Sequence, residues 1–332
     1  MKVGLIGVGR IGTLHAAILD QLPGVETVTV TDLDPERAES FATASGYGFS
    51  GDVDELLGMV DAVVITAATS AHAALIAQAV GAGHPTFCEK PIALDLESTR
   101  QVVTEVERSG VPVQMGFQRR FDPGYMRAQE MVASGELGRL YVVRMAGHDP
   151  EPPHEEYIPV SGGLFRDFSV HDFDALRFVT GQEVVEVYAD GSVIGFPVFE
   201  KYDDIDTGVM TLRLESGALG ILSVTRHDPL GYDIRMELFG SGDSVVVGWD
   251  DRTPLHSIEP DVAPLPGPAY ARFQDRFRLA YERELAAFLE VARGERSNPC
   301  TPADAYEALA VAVAADLSRA EHRPVRVDEV KA

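Results

Sequence analysis

From residue 2 to residue 115 the sequence alternates short apolar runs with segments of helical period, and this constrains the fold more than any other feature. Residues 2–6, 27–31, 61–66, 85–88 and 113–115 read as strands, and 11–22, 35–45, 52–57, 70–81 and 94–109 as helices. Strands separated by helices pair in parallel, with the helices covering both faces. The first part of the chain is therefore expected to be a doubly wound parallel sheet. Ile11, Leu14, Ile18 and Leu22 would form the buried stripe of the first helix. Pro35 suits a first helical turn, and Ser70 suits an N-cap.

After residue 120 the pattern changes. A helix at 125–134 and a strand at 139–147 precede a Pro-, Glu- and Gly-rich stretch, 149–163, that reads as a loop. A helix at 170–180 follows, then strand-like runs at 184–191, 207–214, 218–226, 233–239 and 244–247, several joined by short turns such as Glu215-Ser216-Gly217. Helices at 273–293 and 302–320 close the chain. The expected division is a cofactor-binding domain over 1–120 and an α+β domain over 121–332. The second would be built on a large, mostly antiparallel open sheet, with the last helices free to pack back on the first domain. A net charge of −24 argues against nucleic acid and anionic membrane surfaces as partners. The two cysteines, Cys88 and Cys300, have no metal-ligand or redox spacing, and no metal is expected. Without a signal-peptide pattern or a long apolar run, the expectation is a cytoplasmic protein.

Gly7-Val8-Gly9-Arg10-Ile11-Gly12 is GxGxxG set between the first strand and the first helix. Such glycines permit a tight turn, close approach of a pyrophosphate and helix–strand packing, while the helix N-terminus offers free N–H groups. Asp32 ends the next strand, where an acid bonds the ribose hydroxyls of NAD. Together these features predict a Rossmann domain that binds NAD through Gly7, Gly9, Arg10, Ile11 and Asp32. NADP is disfavoured because Asp32 would repel its extra phosphate, although Arg37 lies a turn into the following helix. Ligands in such sheets lie beyond the carboxyl ends of the strands, which brings Ala67, His72, Glu89 and Lys90 to the same rim. His72 reads equally as a cofactor contact or a surface residue, and Lys90, pinned by Pro91, as a positioned reagent or a solvated turn. Further on, a glycine pair at 162–163 precedes Asp167 and His171, spaced i, i+4. They are either an acid–base unit or a salt link on an exposed helix.

In GVGRIG at 7–12, Asp32, Glu89-Lys90-Pro91 and the run from Gly162-Gly163 to Asp167, His171 and Asp172, the chain resembles the glucose–fructose oxidoreductase / inositol dehydrogenase family. GFQRRFDPGY at 116–125 is similar to the inositol 2-dehydrogenase branch. The resemblance implies a catalytic Lys90 whose bond to Pro91 is often cis, with Asp167 and His171 completing a triad. It also implies Asp149 as a polar substrate contact and an open sheet that serves in oligomer formation, as a dimer or homotetramer. Ala67-Ala68-Thr69 departs from relatives that carry proline there, and Arg166 is a bulky charge beside the triad.

The expected reaction is NAD-dependent oxidation of a secondary hydroxyl on a cyclic polyol, sugar or anhydrosugar. His171 is the candidate base and Lys90 the stabiliser of alkoxide charge. Lys90, Arg120, Asp149, Asp167 and His171 are the expected substrate contacts, with His148 and Tyr157 as further polar candidates. Arg119 and Arg120 read equally as polar contacts or, more plainly, as surface charges or interdomain salt bridges. Two other readings stay open: an NADPH-dependent reductase of a keto-sugar or anhydrosugar, and a non-catalytic NAD-binding regulator.

Overall fold

A computed structural model describes residues 1–331. The chain forms two compact units, residues 1–121 with 279–307, and residues 122–278 with the segment from 308 onward. The second unit is therefore not one continuous stretch of chain.

The first unit holds six parallel strands: β1 (Lys2–Ile6), β2 (Thr27–Thr31), β3 (Gly48–Phe49), β4 (Ala62–Ile65), β5 (Thr86–Glu89) and β6 (Val113–Gly116). They lie in the order β3-β2-β1-β4-β5-β6. The order reverses direction between β1 and β4, which is where such sheets bind ligands. All four residues of β4 are buried, as a strand covered on both faces requires. Local chemistry sets the helix ends. Asp34 caps Pro35–Ser45 by accepting from the Arg37 N–H, and Gly46 stops that helix in the left-handed region. Asp95 caps Leu96–Ser109 in the same way.

Two expectations about helices fail here. Helix Thr69–Gly81 starts after Ala68 and has no side-chain cap, so Ser70 lies inside it. In helix Arg10–Gln21 the buried positions are Gly12, His15, Ala16, Ile18 and Leu19, while Ile11 and Leu14 are half-exposed. Small residues bring this helix close to the sheet and rotate the buried stripe. The segment from 279 to 307 covers the edge strand β6. Gln114 Nε2 donates to the Glu284 carbonyl at 3.0 Å, Asn298 Nδ2 to the Val113 carbonyl at 2.6 Å, and the Met115 N–H to the Cys300 carbonyl at 2.8 Å. An uncovered edge would be a template for aggregation.

The second unit contains seven strands: β7 (Leu140–His148), β8 (Val184–Ser192), β9 (Thr207–Leu214), β10 (Leu219–Thr225), β11 (Asp233–Gly240), β12 (Ser244–Val247) and β13 (Val325–Arg326). Their order is β12-β11-β7-β10-β9-β8-β13. Every neighbouring pair is antiparallel except β7 and β10. The strict alternation of burial along β9 shows one covered and one open face. The short strands β3 and β13 escape prediction because two residues carry no period. The 149–163 stretch contains a 3₁₀ turn, Glu155–Tyr157, and one helical turn, Ile158–Ser161. No helix among the described residues is long and apolar enough to cross a membrane.

Candidate active site

The glycine turn of the first unit is built for close contact. A Cβ on Gly12 would lie 1.9 Å from the Gly7 carbonyl oxygen, and Gly7 has a φ of +101°. At Gly9 a Cβ would meet nothing within 4 Å. Gly9 is also the N-cap of helix Arg10–Gln21, with no side chain satisfying the first N–H groups. An exposed helix start with no side-chain cap and no side-chain obstruction suits a pyrophosphate. Arg10 is exposed and Ile11 half-exposed beside it.

Asp32 follows β2 directly. Its Oδ2 accepts from the Val8 N–H at 2.8 Å and its Oδ1 from the Asp34 N–H at 2.9 Å. Burial pushes this carboxyl up, but the two N–H groups and Arg37 outweigh it and hold the pKa below the ordinary value. Arg37 Nη2 also donates to Oδ1 from a half-exposed position. Asp32 is thus an ionised acceptor that ties the glycine turn to the end of β2. These residues fit the adenosine and pyrophosphate portions of a dinucleotide.

Ala67 is half-buried just past β4. His72 is 1% exposed, and its ring nitrogens lie 2.6 Å from the Pro91 carbonyl and 2.9 Å from the Ala67 carbonyl. Burial lowers its pKa despite these acceptors. The expectation of a cofactor contact or a surface residue is corrected accordingly: the ring braces the two rim turns from inside and has no nitrogen to offer outward. Glu89 and Lys90 are half-buried at the end of β5, and the Lys90–Pro91 bond is cis. Glu89 Oε1 lies 2.6 Å from Nε2 of His15, which is fully buried and set edge-on to Phe87 and Tyr281. His15 was not singled out from the sequence, although its place three residues after Gly12 was there to be read.

Arg120, expected to touch substrate, is instead 8% exposed and held within the first unit. It donates to the Pro299 carbonyl at 2.9 Å and pairs with Asp304 at 3.1 Å. Arg119 is 1% exposed, so neither arginine is a surface charge.

In the second unit, Gly162 and Gly163 both have positive φ and lead into a π-helical turn, Phe165–Ser169, which runs into helix Val170–Thr180. Asp167 sits in the π turn and His171 in the α-helix, so they are not neighbours on one regular exposed helix. Asp167 is 8% exposed and His171 half-buried. The Tyr157 hydroxyl donates to Asp167 Oδ1 at 2.9 Å, and Arg226 Nη2 donates to Oδ2 at 2.9 Å. Asp149 Oδ2 lies 3.5 Å from Arg226 Nη1. The structure therefore brings Asp149, Asp167 and Tyr157 together around Arg226, a residue that alternation along β10 could not single out. Asp172 and Asp174 are buried. Arg166 Nε donates to Asp316 at 2.6 Å, which pairs that charge.

His148, on the open side of the sheet, lies 3.1 Å from Ser223 Oγ, 3.6 Å from Asp228 and 3.7 Å from Asp233. His148, Asp228 and Asp233 have the spacing of a cation site. Arg235 already forks onto Asp233 at 2.7 and 2.9 Å and matches its charge, which weighs against one.

A parallel sheet with an open glycine turn, an ionised acid at its second strand and a lysine on its rim defines a nucleotide-dependent dehydrogenase. Residues 1–117 match the oxidoreductase family with an NAD-binding Rossmann fold, and residues 125–246 match the GFO/IDH/MocA C-terminal domain. The chain belongs to the GFO/IDH/MocA oxidoreductase family. It is 39% identical to the myo-inositol dehydrogenase Hyg17 of Streptomyces leeuwenhoekii, over 96% of this chain and 97% of that one. It is 35% identical to the myo-inositol 2-dehydrogenase of Thermotoga maritima, over 99% of both. Among solved structures, a myo-inositol dehydrogenase from Corynebacterium glutamicum superposes with a TM-score of 0.90 at 34% identity, covering 98% of each chain. The scyllo-inositol dehydrogenase of Lactobacillus casei with bound NAD(H) and scyllo-inositol gives 0.89 at 26% identity, covering 99% of each. The protein is an NAD(P)-dependent oxidoreductase acting on CH–OH groups, and its cofactor is NAD.

Proposed function

We propose that this enzyme oxidises one secondary hydroxyl of a neutral cyclic polyol of the inositol type to a ketone. The observation that carries the reading is the fixed carboxylate of Asp167, bonded by Tyr157 and Arg226 at the start of the helix that bears His171. NAD, when bound, supplies the acceptor for the hydride. His171 takes the hydroxyl proton as the C–H bond breaks. Lys90, following β5 on the carboxyl rim of the sheet, stabilises negative charge developing on the substrate oxygen. Asp167 orients the acid–base group, and Asp149 accepts from a second substrate hydroxyl. Gly7, Gly9, Arg10, Ile11 and Asp32 hold the cofactor, with Ala67, Glu89 and Lys90 on the rim beside it.

On this reading residues 1–120 bind NAD, and the α+β part of 121–332 binds the polyol and forms a homo-oligomer. The exposed Val209, Leu219 and Ile221 on the open sheet face suit a second copy of the chain. The enzyme would work in the cytoplasm. A reductase using NADPH is favoured by one observation, the Arg37 cation resting on Asp32. The intact set Lys90, Asp167 and His171 weighs against a regulator without turnover.

The test is a panel of inositol isomers, pyranoses and a phosphorylated inositol, each assayed with NAD and NADP, together with keto-sugars assayed with NADH and NADPH. Reduction of NAD by an unphosphorylated inositol isomer is expected. Turnover confined to a keto-sugar with NADPH would replace the proposal with the reductase, and NAD binding without turnover would replace it with the regulator.

A further inference from the structure

Arg226 stands out among the buried charges of the second unit. It is 2% exposed, yet it bonds Asp167 at 2.9 Å and pairs with Asp149 at 3.5 Å. Burial alone would lower its pKa, but the carboxylates of Asp167 and Asp149 raise it above the ordinary arginine value. A buried cation flanked by two carboxylates keeps all three groups charged, and a planar guanidinium fixes direction as well as charge.

The support behind Arg226 is equally defined. Its backbone N–H donates to the Asp206 carbonyl at 2.8 Å. The Asp206 carboxylate in turn accepts the N–H groups of Ile194, Gly195 and Phe196 at 2.9, 2.7 and 2.7 Å. Asp149 is anchored to the neighbouring strand end, where its N–H donates to the Thr225 carbonyl at 3.0 Å. Because β7 and β10 run parallel, Asp149 and Arg226 leave the sheet at the same end.

We propose that Arg226 is a positioning residue for the reaction: it holds Asp167 and Asp149 as ionised carboxylates in one orientation, coupling the acid–base centre to the substrate contact. The proposal rests on the role given above to Asp167. It predicts more than a loss of stability, because Arg226 acts through residues that face the chemistry.

The experiment compares wild type with Arg226→Met, Arg226→Lys, Asp167→Asn and the double variant Asp167→Asn/Arg226→Met. Each is assayed with NAD and whichever inositol isomer the wild type turns over. Folding is checked by near-ultraviolet circular dichroism and NAD affinity by fluorescence titration. Arg226→Met is expected to leave NAD affinity unchanged and to lower kcat/KM by roughly 100-fold, the scale of a misplaced reacting group. The acid limb of its pH profile should move to higher pH, since a carboxylate deprived of its cation holds its proton more tightly. The double variant should be no slower than Asp167→Asn alone. Should Arg226→Met not fold, Arg226→Lys keeps the charge but loses the fork, and a fall of about tenfold in kcat/KM with a rise in KM is expected. An unshifted pH profile with multiplicative losses in the double variant would overturn the proposal, as would wild-type kcat and KM in Arg226→Lys. Near-normal turnover by Asp167→Asn would instead overturn the functional reading beneath it.

Discussion

Gly12→Ala and Gly9→Ala test whether the glycine turn is built as described, because the two positions fail for different reasons. At Gly12 the new methyl carbon would lie 1.9 Å from the Gly7 carbonyl oxygen and 2.8 Å from Thr66 Oγ1. The carbonyl cannot yield without opening the turn, since the Gly7 N–H is bonded to the Thr31 carbonyl at 2.8 Å. Overpacking of this kind costs about 1–3 kcal/mol. At about 2–4 °C per kcal/mol for a domain of roughly 150–250 residues, Tm should fall by several degrees. NAD affinity should fall with it, because the opened turn no longer presents its N–H groups. At Gly9 the methyl meets nothing within 4 Å and the backbone φ is −72°, so the fold should be unaffected. The same methyl would stand where the pyrophosphate must approach, and affinity should fall at least about tenfold, or ~1.4 kcal/mol. Differential scanning calorimetry and titration of NAD fluorescence quenching separate the two effects. An unchanged Tm in Gly12→Ala would refute the packing argument. Unchanged NAD affinity in Gly9→Ala would refute the placement of the pyrophosphate.

Lys90→Ala and His171→Ala should each lower kcat by roughly 10²–10⁴-fold while stopped-flow titration gives wild-type NAD affinity; near-normal turnover in both would remove them from the mechanism. Asp32→Ser should improve NADP use relative to NAD by about tenfold or more in kcat/KM ratios, because it removes the repelling charge and frees Arg37 for the 2′-phosphate. Arg120→Met should cost about 1–3 kcal/mol in urea denaturation with little change in KM, since a mostly buried carboxylate loses its partner. Burial pushes the Asp304 carboxyl up, but Arg120 and the Thr301 N–H and hydroxyl outweigh it, so the pKa is lowered in the folded state. A lowered carboxylate pKa stabilises the fold above the unfolded value, near 3.8, and that stability disappears as pH falls through the folded value. Arg120→Met should therefore be most destabilised near neutrality and approach wild type in acid.

The first sheet was legible because short apolar or β-branched runs alternate with helical segments, two of them capped by Asp34 and Asp95 and stopped by glycine. β3 and β13 were not, being two-residue strands that exist only through their neighbours. GxGxxG and Asp32 could be placed from order alone. The role of His72 could not, because one histidine on a first helical turn looks the same whether its ring turns outward or lies under two carbonyls. Arg120 misled for a related reason. Its partner Asp304 is 184 positions away in a segment that folds back beside it, and no local pattern announces such a pair. Arg226 is the extreme case: it lies at the end of an ordinary alternating strand, and only the parallel pairing of β7 with β10 sets it beside Asp149.

Charge in the second unit bears on what kind of substrate suits the enzyme. Arg226 faces the carboxylates of Asp167, Asp149 and, at longer range, Asp204. Asp204 accepts from the Leu164 and Ile205 N–H groups at 3.0 and 2.8 Å and is committed to the loop beside the glycine pair. The Tyr157 hydroxyl brings Asp167 a hydrogen bond but no charge. A phosphorylated or carboxylated sugar placed against Asp167 and Asp149 would meet like charge, and juxtaposed like charges cost several kcal/mol. A polyol brings only hydroxyl donors, which ionised carboxylates accept well. On the proposed reading Asp149 and Asp167 would select by charge before shape enters, and the phosphorylated inositol in the substrate panel tests that selection directly: its turnover at the rate of the free polyol would mean that these acids do not face the substrate.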